Sequence, residues 1–174
     1  MPNSQRAFIG LGSNLGDPIA YLCQARVALA QGTHSQLQAV SRLYRSAPIG
    51  PQDQPHFINA VIALDSQLPA LVLLDWLQQI EQQAGRQRLR RWGERTLDLD
   101  LLLYGDQQID SERLTLPHPY LYQRAFVLQP LADIATDLYL PRGLTVGEAC
   151  QACAGQAIMP LDDPRWSATI EGNH

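Results

Sequence analysis

Two aspartates, Asp98 and Asp100, lie two residues apart inside an apolar run that continues to Tyr104. In a β-strand, alternate side chains share a face, so both carboxylates would point the same way with their Cα atoms about 6.5–7 Å apart. Aspartate is depleted in strands, and like charges at this spacing repel unless a cation lies between them. Spacing alone therefore indicates either a divalent-cation site or the solvated face of an edge strand.

A run of arginines precedes the two aspartates. Five of them fall within ten residues: Arg86, Arg88, Arg90, Arg91 and Arg95. A charge run is most often a solvated surface, but here positive and acidic groups converge at one end of one strand. Guanidinium groups bind phosphate oxygens, and carboxylates hold the magnesium that accompanies a polyphosphate. The pattern predicts phosphoryl transfer from a magnesium nucleotide.

Other residues could complete such a site. Trp92, among the arginines, offers a stacking face, and His118, between two prolines, either donates to phosphate or makes a structural hydrogen bond. Asn59 beside Phe57 would suit a flat hydrogen-bonding heterocycle, or would satisfy loop backbone.

The composition narrows the classes of function. All thirteen basic residues are arginine, which excludes a Schiff-base lysine and a Walker A loop. The net charge of −4 argues against nucleic acid and anionic membranes as partners.

Residues 1–6 lack the pattern of a signal peptide, and no apolar run reaches the roughly 18–20 residues of a membrane span, so a cytoplasmic location is expected. Cys150 and Cys153 supply only two zinc ligands and are expected to be packed thiols.

Hydrophobic periodicity and turn residues predict an α+β chain forming a single domain over residues 1–174. The predicted order is strand, helix, strand, strand, helix, strand, at residues 7–12, 18–31, 37–44, 57–64, 69–85 and 98–104. This is the ferredoxin-like βαββαβ fold, a four-stranded antiparallel sheet with helices packed on one face and the other face free for ligands. Further helices are predicted at 120–135 and 145–154, and no strong pattern follows.

Side-chain directions follow from the same periodicities. In the last strand, Leu103 is expected on the face of Leu99, and Tyr104 on the face of the aspartates. The first helix is expected to bury a stripe formed by Ile19, Leu22, Cys23, Val27 and Ala30. Gln78 and Glu81 are expected near the exposed end of the second helix. The long segments 46–55 and 86–95 are expected to be functional loops.

Several separated motifs resemble one family, that of 6-hydroxymethyl-7,8-dihydropterin pyrophosphokinase. The motifs are Arg91-x-Gly93-Glu94-Arg95-x-x-Asp98-Leu99-Asp100-Leu101-Leu102, Gly12–Leu15, Gly50–Pro55, Asn59 and Pro117–His118. The resemblance runs from about residue 7 to about residue 140. It implies transfer of the β,γ-diphosphate of ATP to the hydroxymethyl group of 6-hydroxymethyl-7,8-dihydropterin, with release of AMP, in folate biosynthesis.

The resemblance also implies roles for individual residues. Two magnesium ions would bind Asp98 and Asp100, and Arg86 and Arg95 would act with them in catalysis. The ATP site would comprise Gln78, Glu81, Arg88, Arg91, Arg95, Leu101, Arg113, Thr115, His118 and Arg124. The pterin site would comprise Ser46, Ala47, Ile49, Phe57, Asn59, Trp92 and Phe126. A monomer without nucleic-acid or membrane partners is expected.

Three other functions stay open at this point. The Asp-x-Asp pair could serve a magnesium-dependent nucleotidyl or sugar-nucleotide transferase, although the short chain and the arginines argue against it. The open face of a ferredoxin-like sheet could bind RNA, but this requires a basic surface. A ligand-binding regulatory module would differ from the enzyme in lacking turnover.

Overall fold

The computed structural model describes residues 3–48, 50–85 and 96–171. The elements up to the aspartate strand are β1 (Gln5–Ser13), α1 (Pro18–Ala30), β2 (Ser35–Val40), β3 (Leu43–Ser46), β4 (Phe57–Ser66), α2 (Ala70–Gln83) and β5 (Asp98–Tyr104). The remaining elements are β6 (Ile109–Asp110), β7 (Thr115–Leu116), a 3₁₀ turn (Leu121–Gln123), α3 (Ala125–Ala135), α4 (Val146–Ala152), β8 (Ile158–Leu161) and α5 (Pro164–Glu171). Among the described residues, no helix is long and apolar enough to cross a membrane.

The main sheet is antiparallel, in the order β5-β1-β4-β3-β8, and β2 also pairs with β4. This order confirms the predicted ferredoxin-like arrangement. The predicted second strand is divided at Ser41, whose N–H donates to the Val61 carbonyl at 2.9 Å and whose hydroxyl accepts from the Val61 N–H at 2.8 Å. Ser41 therefore continues the pairing with β4 through its side chain.

Each face of the sheet packs against its own helices. Helices α1 and α2 cover the face that carries Ile9, Leu11 and Ile62. Helices α3 and α4 pack on the opposite face, against Phe8 and Val61. The second face is therefore only partly free, and its uncovered part is where a ligand pocket lies.

The predicted stripe of α1 is wrong in part. Leu22, Ala25, Arg26 and Leu29 are its buried residues, whereas Val27 is 47% exposed. The stripe is rotated because α1 packs against α5 as well as against the sheet, and no pattern in the sequence predicted α5.

The C-terminal segment is tied to the sheet by Trp166. The indole of Trp166 is buried, and its Nε1–H donates to the Ser41 carbonyl at 2.9 Å. The Arg26 guanidinium lies 5.2 Å from the centre of the Trp166 ring. Strand β8, which the periodicity did not predict, adds to the outer side of β3.

Strand β5 contains a bulge that changes which way its last residues point. Phe8 pairs with Leu103 and Ile9 pairs with Leu101, so Leu102 is the extra residue. Leu103 packs with α3 and Tyr104 with α2, which reverses the predicted faces of both residues. The Leu102 carbonyl accepts the backbone N–H of His118 at 3.0 Å.

Candidate active site

Two glycines of β1 form the floor of a pocket on the uncovered face. Gly12 lies between Asp98 of β5 and Asn59 of β4, and Gly10 lies between Asp100 and Val61. All of these residues line the pocket, whose empty space including its open mouth is about 710 Å³. Because glycine has no side chain, the middle strand leaves a flat surface between the carboxylates and the amide.

Asn59 is oriented by its neighbour in β3. Its Nδ2 donates to the Ser46 hydroxyl at 2.7 Å, and both side chains are buried. A Cβ added at Gly12 would lie 3.3 Å from the Asn59 Oδ1, so the amide oxygen faces the glycine floor. Ala47, Phe57 and Phe126 complete this end of the pocket. The arrangement offers an acceptor oxygen and two rings to a planar ligand.

Arg124 lies over the opposite end of the pocket. Its guanidinium carbon lies 4.5 Å from the centre of the Tyr120 ring and 5.5 Å from that of Phe126. Burial lowers the pKa of Arg124, and the nearby carboxylate of Asp100 opposes that shift. The cation still stays charged at neutral pH, because an arginine pKa starts above 12. Arg124 therefore places a guanidinium group that can bind phosphate in the same pocket as the two carboxylates.

His118 is fixed by backbone contacts on both sides. Its Nδ1 accepts the Tyr120 N–H at 3.2 Å, which leaves the proton of the neutral ring on Nε2. Burial and, to a smaller extent, the charge of Arg124 lower its pKa to about 4, although Asp98 acts in the opposite direction. His118 is therefore a neutral donor at physiological pH.

Three of the residues predicted at the nucleotide, Gln78, Arg113 and Thr115, lie outside the pocket, around the outer edge of β5. Arg113 pairs with Asp75 and contacts the Gln78 amide at 3.5 Å, and all three are exposed on one surface. Thr115 lies in β7, which packs against β5. The structure thus brings Gln78, Arg113 and Thr115 to the same side of the molecule.

Glu81 differs from the sequence expectation, because its side chain is buried rather than exposed. Its Oε2 accepts the Leu99 N–H at 2.8 Å. The Leu99 N–H therefore points away from β1, and Leu101, two residues on, presents its backbone groups at the same outer edge. The Leu101 side chain itself is buried in the core. Any contact that Leu101 makes with a nucleotide would use its backbone.

Six predicted site residues lie outside the described residues. They are Ile49, Arg86, Arg88, Arg91, Trp92 and Arg95. The adjoining residues are anchored by the end of β1. The Ser13 hydroxyl donates to the Thr96 carbonyl, and the Asn14 amide donates to Gln54 Oε1 and the Pro55 carbonyl at 3.0 and 2.9 Å. Thr96, which follows the arginine segment in sequence, and Gln54 and Pro55 are thus all bound by the end of β1 and the residue after it.

The carboxylate pair fits a magnesium site. No group of three or more potential ligands from His, Cys, Asp and Glu occurs within 3–48, 50–85 and 96–171. Asp98 and Asp100 share the pocket face, half-buried. Magnesium typically takes one or two carboxylates and completes its shell with water and substrate phosphates. This donor set suits it when a nucleotide is bound.

Sequence reasoning missed the glycine floor. The predicted first strand, residues 7–12, contains Gly10 and Gly12, but neither is among the predicted site residues. Their alternation was the available signal, since glycine at every second position of a strand removes side chains from a single face. Val127 of α3 also lines the pocket, and nothing in its spacing indicated this.

The model of the 7,8-dihydro-6-hydroxymethylpterin-pyrophosphokinase (HPPK) family matches residues 8–136. The chain belongs to this family. Among its relatives, the 2-amino-4-hydroxy-6-hydroxymethyldihydropteridine pyrophosphokinase of Haemophilus influenzae is 48% identical over 156 residues, covering 90% of this chain and 98% of the relative. The Pseudomonas aeruginosa protein of the same name is 51% identical over 157 residues, covering 90% and 97%.

Solved structures agree on the fold. The HPPK-DHPS protein of Plasmodium falciparum, in a crystal structure with SDX-DHP, matches with a TM-score of 0.64 and 13% sequence identity. The match covers 85% of this chain but only 43% of that longer chain. The HPPK family match covers the glycine floor, both aspartates and Asn59, but it ends before α4, β8 and α5.

Proposed function

We propose that the protein transfers the β,γ-diphosphate of ATP to the hydroxymethyl group of 6-hydroxymethyl-7,8-dihydropterin, releasing AMP, within a single domain and as a step of folate biosynthesis. One observation carries the proposal. An oriented amide, Asn59, and a carboxylate pair lie at opposite sides of a glycine floor. A planar ring with one short hydroxyl-bearing arm fills such a pocket with the ring at the amide and the arm at the carboxylates.

The pterin end is built for recognition of a flat heterocycle. The Ser46 hydroxyl accepts a hydrogen bond from the Asn59 amino group. The Asn59 carbonyl oxygen therefore faces the ligand and accepts from a ring N–H. Phe57 and Phe126 enclose the ring, and Ser46 and Ala47 border it. We further propose that Ile49 and Trp92 close over the ring.

The phosphate end supplies positive charge and a neutral donor. Arg124 and His118 contact phosphate oxygens, and so do Arg86, Arg88, Arg91 and Arg95 in the proposed closed site. Gln78, Glu81, Leu101, Arg113 and Thr115 border the nucleoside. Asp98 and Asp100 would hold two magnesium ions, which supply charge neutralisation for the polyphosphate when bound.

The chemistry is a displacement at the β-phosphorus of ATP. The hydroxymethyl oxygen forms a bond to the β-phosphorus, the bond from that phosphorus to the α,β-bridging oxygen breaks, and AMP leaves with both electrons of that bond. The hydroxyl proton goes to solvent or to a phosphate oxygen. The arginines and His118 stabilise the charge on the phosphoryl oxygens, so positioning and electrostatics provide the rate enhancement. Cytoplasmic location and a monomeric state remain predictions.

The test is the identity of the nucleotide product. Purified protein with ATP, magnesium and hydroxymethyl-dihydropterin should release AMP and pterin diphosphate in equal amounts. Asp98→Ala and Asp100→Ala should each lower turnover roughly 100-fold or more, because a metal contributes several kcal/mol of charge stabilisation. Asp106→Ala, an exposed carboxylate in a turn outside the pocket, is the matched control. Release of ADP, or turnover that does not depend on pterin, would contradict the proposal.

A further inference from the structure

The turn that follows α4 binds the backbone on both sides of Arg124. The Gln156 Oε1 accepts the Ala125 N–H at 2.9 Å, and its Nε2 donates to the Gln123 carbonyl at 2.7 Å. In the same turn, the Cys153 thiol donates to the Tyr122 carbonyl at 3.4 Å. The Gln156 N–H in turn donates to the Cys153 carbonyl at 3.0 Å. A single amide side chain thus bridges the residues before and after Arg124.

This bridge supplies a partner that helix α3 lacks locally. Arg124 is the N-cap of α3, and its side chain makes no capping hydrogen bond. The N–H of Ala125, the first helical residue, has no acceptor within the helix. Gln156 provides that acceptor from another part of the chain. Because it also binds the Gln123 carbonyl, it restrains both backbone torsions of Arg124, which is extended at φ −124° and ψ 106°.

The orientation of Arg124 depends on these torsions. Its side chain leaves the backbone at the start of α3, places the guanidinium carbon 4.5 Å from the centre of the Tyr120 ring and 5.5 Å from that of Phe126, and lines the same pocket as Asp98 and Asp100. A backbone free to rotate at Arg124 would disperse the guanidinium over several positions. Each position would then bind a phosphate less well, since preorganisation lowers the entropic cost of binding.

We propose that Gln156 is a positioning residue, which sets the direction of Arg124 and thereby strengthens phosphate binding without contacting substrate. The inference rests on the proposed function, because it assigns the Arg124 guanidinium to the ATP phosphates. It goes beyond the family match, which ends at residue 136.

The experiment is a double-mutant cycle with Gln156→Ala, Arg124→Ala and the combined variant, assayed by AMP release. Gln156→Ala should lower kcat/KM for ATP roughly three- to tenfold, the range expected for the loss of one or two partly exposed hydrogen bonds. In the Arg124→Ala background, the same substitution should cause no further loss, because its effect acts through Arg124. Gln151→Ala, an exposed glutamine of α4, is the matched control and should stay within twofold of wild type.

Thermal unfolding of each variant separates positioning from general stability. A purely structural role for Gln156 would lower the melting temperature and reduce activity by the same factor in both backgrounds, which would overturn the proposal. An unchanged kcat/KM in Gln156→Ala, alongside a loss in Arg124→Ala, would also overturn it and leave the proposed function intact. Failure of the wild-type protein to release AMP would instead count against the proposed function.

Discussion

At the scale of single residues, His118 is a histidine that the fold keeps neutral. Its Nδ1 accepts the Tyr120 N–H, and the backbone N–H of His118 donates to the carbonyl of the bulged residue Leu102. The imidazole is therefore held with Nε2–H available as a donor. A neutral donor avoids the desolvation cost of a second buried cation beside Arg124.

We expect the free energy of unfolding to fall as the pH is lowered from 6.5 towards 4, partly because of His118. Its pKa is about 4 in the folded state against 6.5 ordinarily, so the unfolded chain binds more protons throughout this window and gains stability relative to the native state. His118→Asn should reduce the loss between pH 7 and pH 4.5 by roughly 2 kcal/mol, as measured by urea unfolding at both pH values without nucleotide.

His34→Asn is the matched control for this pH dependence. The side chain of His34 is exposed, so this variant should lose the same stability as wild type between pH 7 and pH 4.5. An NMR titration that shows His118 protonating near pH 6.5 in the folded protein would contradict the expectation.

At the scale of elements, period-two alternation correctly predicted the first half of β5, where Asp98 and Asp100 share the pocket face. It failed at Leu103 and Tyr104, because a bulge is a property of two paired strands and leaves no mark on the alternation of one. It also could not show that Ser41 divides the second strand. That division depends on hydrogen bonds to Val61, a residue twenty positions away.

The candidate site was predictable where charge and motif spacing carried the signal, as for Asp98 and Asp100. Contacts that depend on tertiary packing were not. Gln156 binds the backbone beside Arg124 from a segment that has no periodic pattern. Glu81 has the spacing of an exposed helix residue, and only the hydrogen bond from the Leu99 N–H shows why it is buried. A buried carboxylate on an amphipathic helix cannot be distinguished from a surface one without its partner.

We expect Glu81→Ala to destabilise the edge strand that carries the aspartates. Removing the carboxylate leaves the buried Leu99 N–H without this acceptor, at a cost of about 1–3 kcal/mol in the free energy of unfolding. Glu81→Gln keeps an acceptor oxygen and should lose less. Urea unfolding measures both variants, and Gln82→Ala, at the neighbouring exposed position, should change little. Equal stability of Glu81→Ala and wild type would show that the hydrogen bond contributes nothing.

At the scale of the whole molecule, the C-terminal segment joins parts of the chain that are distant in sequence. Trp166 contacts Ser41 at the break in the sheet and Arg26 of α1. Strand β8 supports β3, which ends at Ser46 beside the pocket. The segment therefore stabilises both the core and one wall of the site.

Trp166→Ala should lower the free energy of unfolding by about 3–5 kcal/mol, the usual cost of truncating a large buried aromatic side chain. A chain of this size should then melt roughly 6–20 °C lower, as followed by circular dichroism. Arg165→Ala, which removes exposed ion pairs with Asp17 and Asp163, should cause a small change. If the Trp166→Ala protein had the same melting temperature as wild type, α5 would not be part of the cooperatively unfolding unit.

The row of Asp98, Gly12 and Asn59 across β5, β1 and β4 has a consequence for substrate length. Neighbouring strands are about 4.8 Å apart, so the backbones at Asp98 and Asn59 are separated by two such steps, about 9.6 Å. Hydrogen bonding between the strands makes this distance nearly incompressible. The sheet therefore fixes the spacing between the two ends of the site. An acceptor whose arm is one carbon longer or shorter would place its hydroxyl away from the reacting phosphorus even if its ring bound normally.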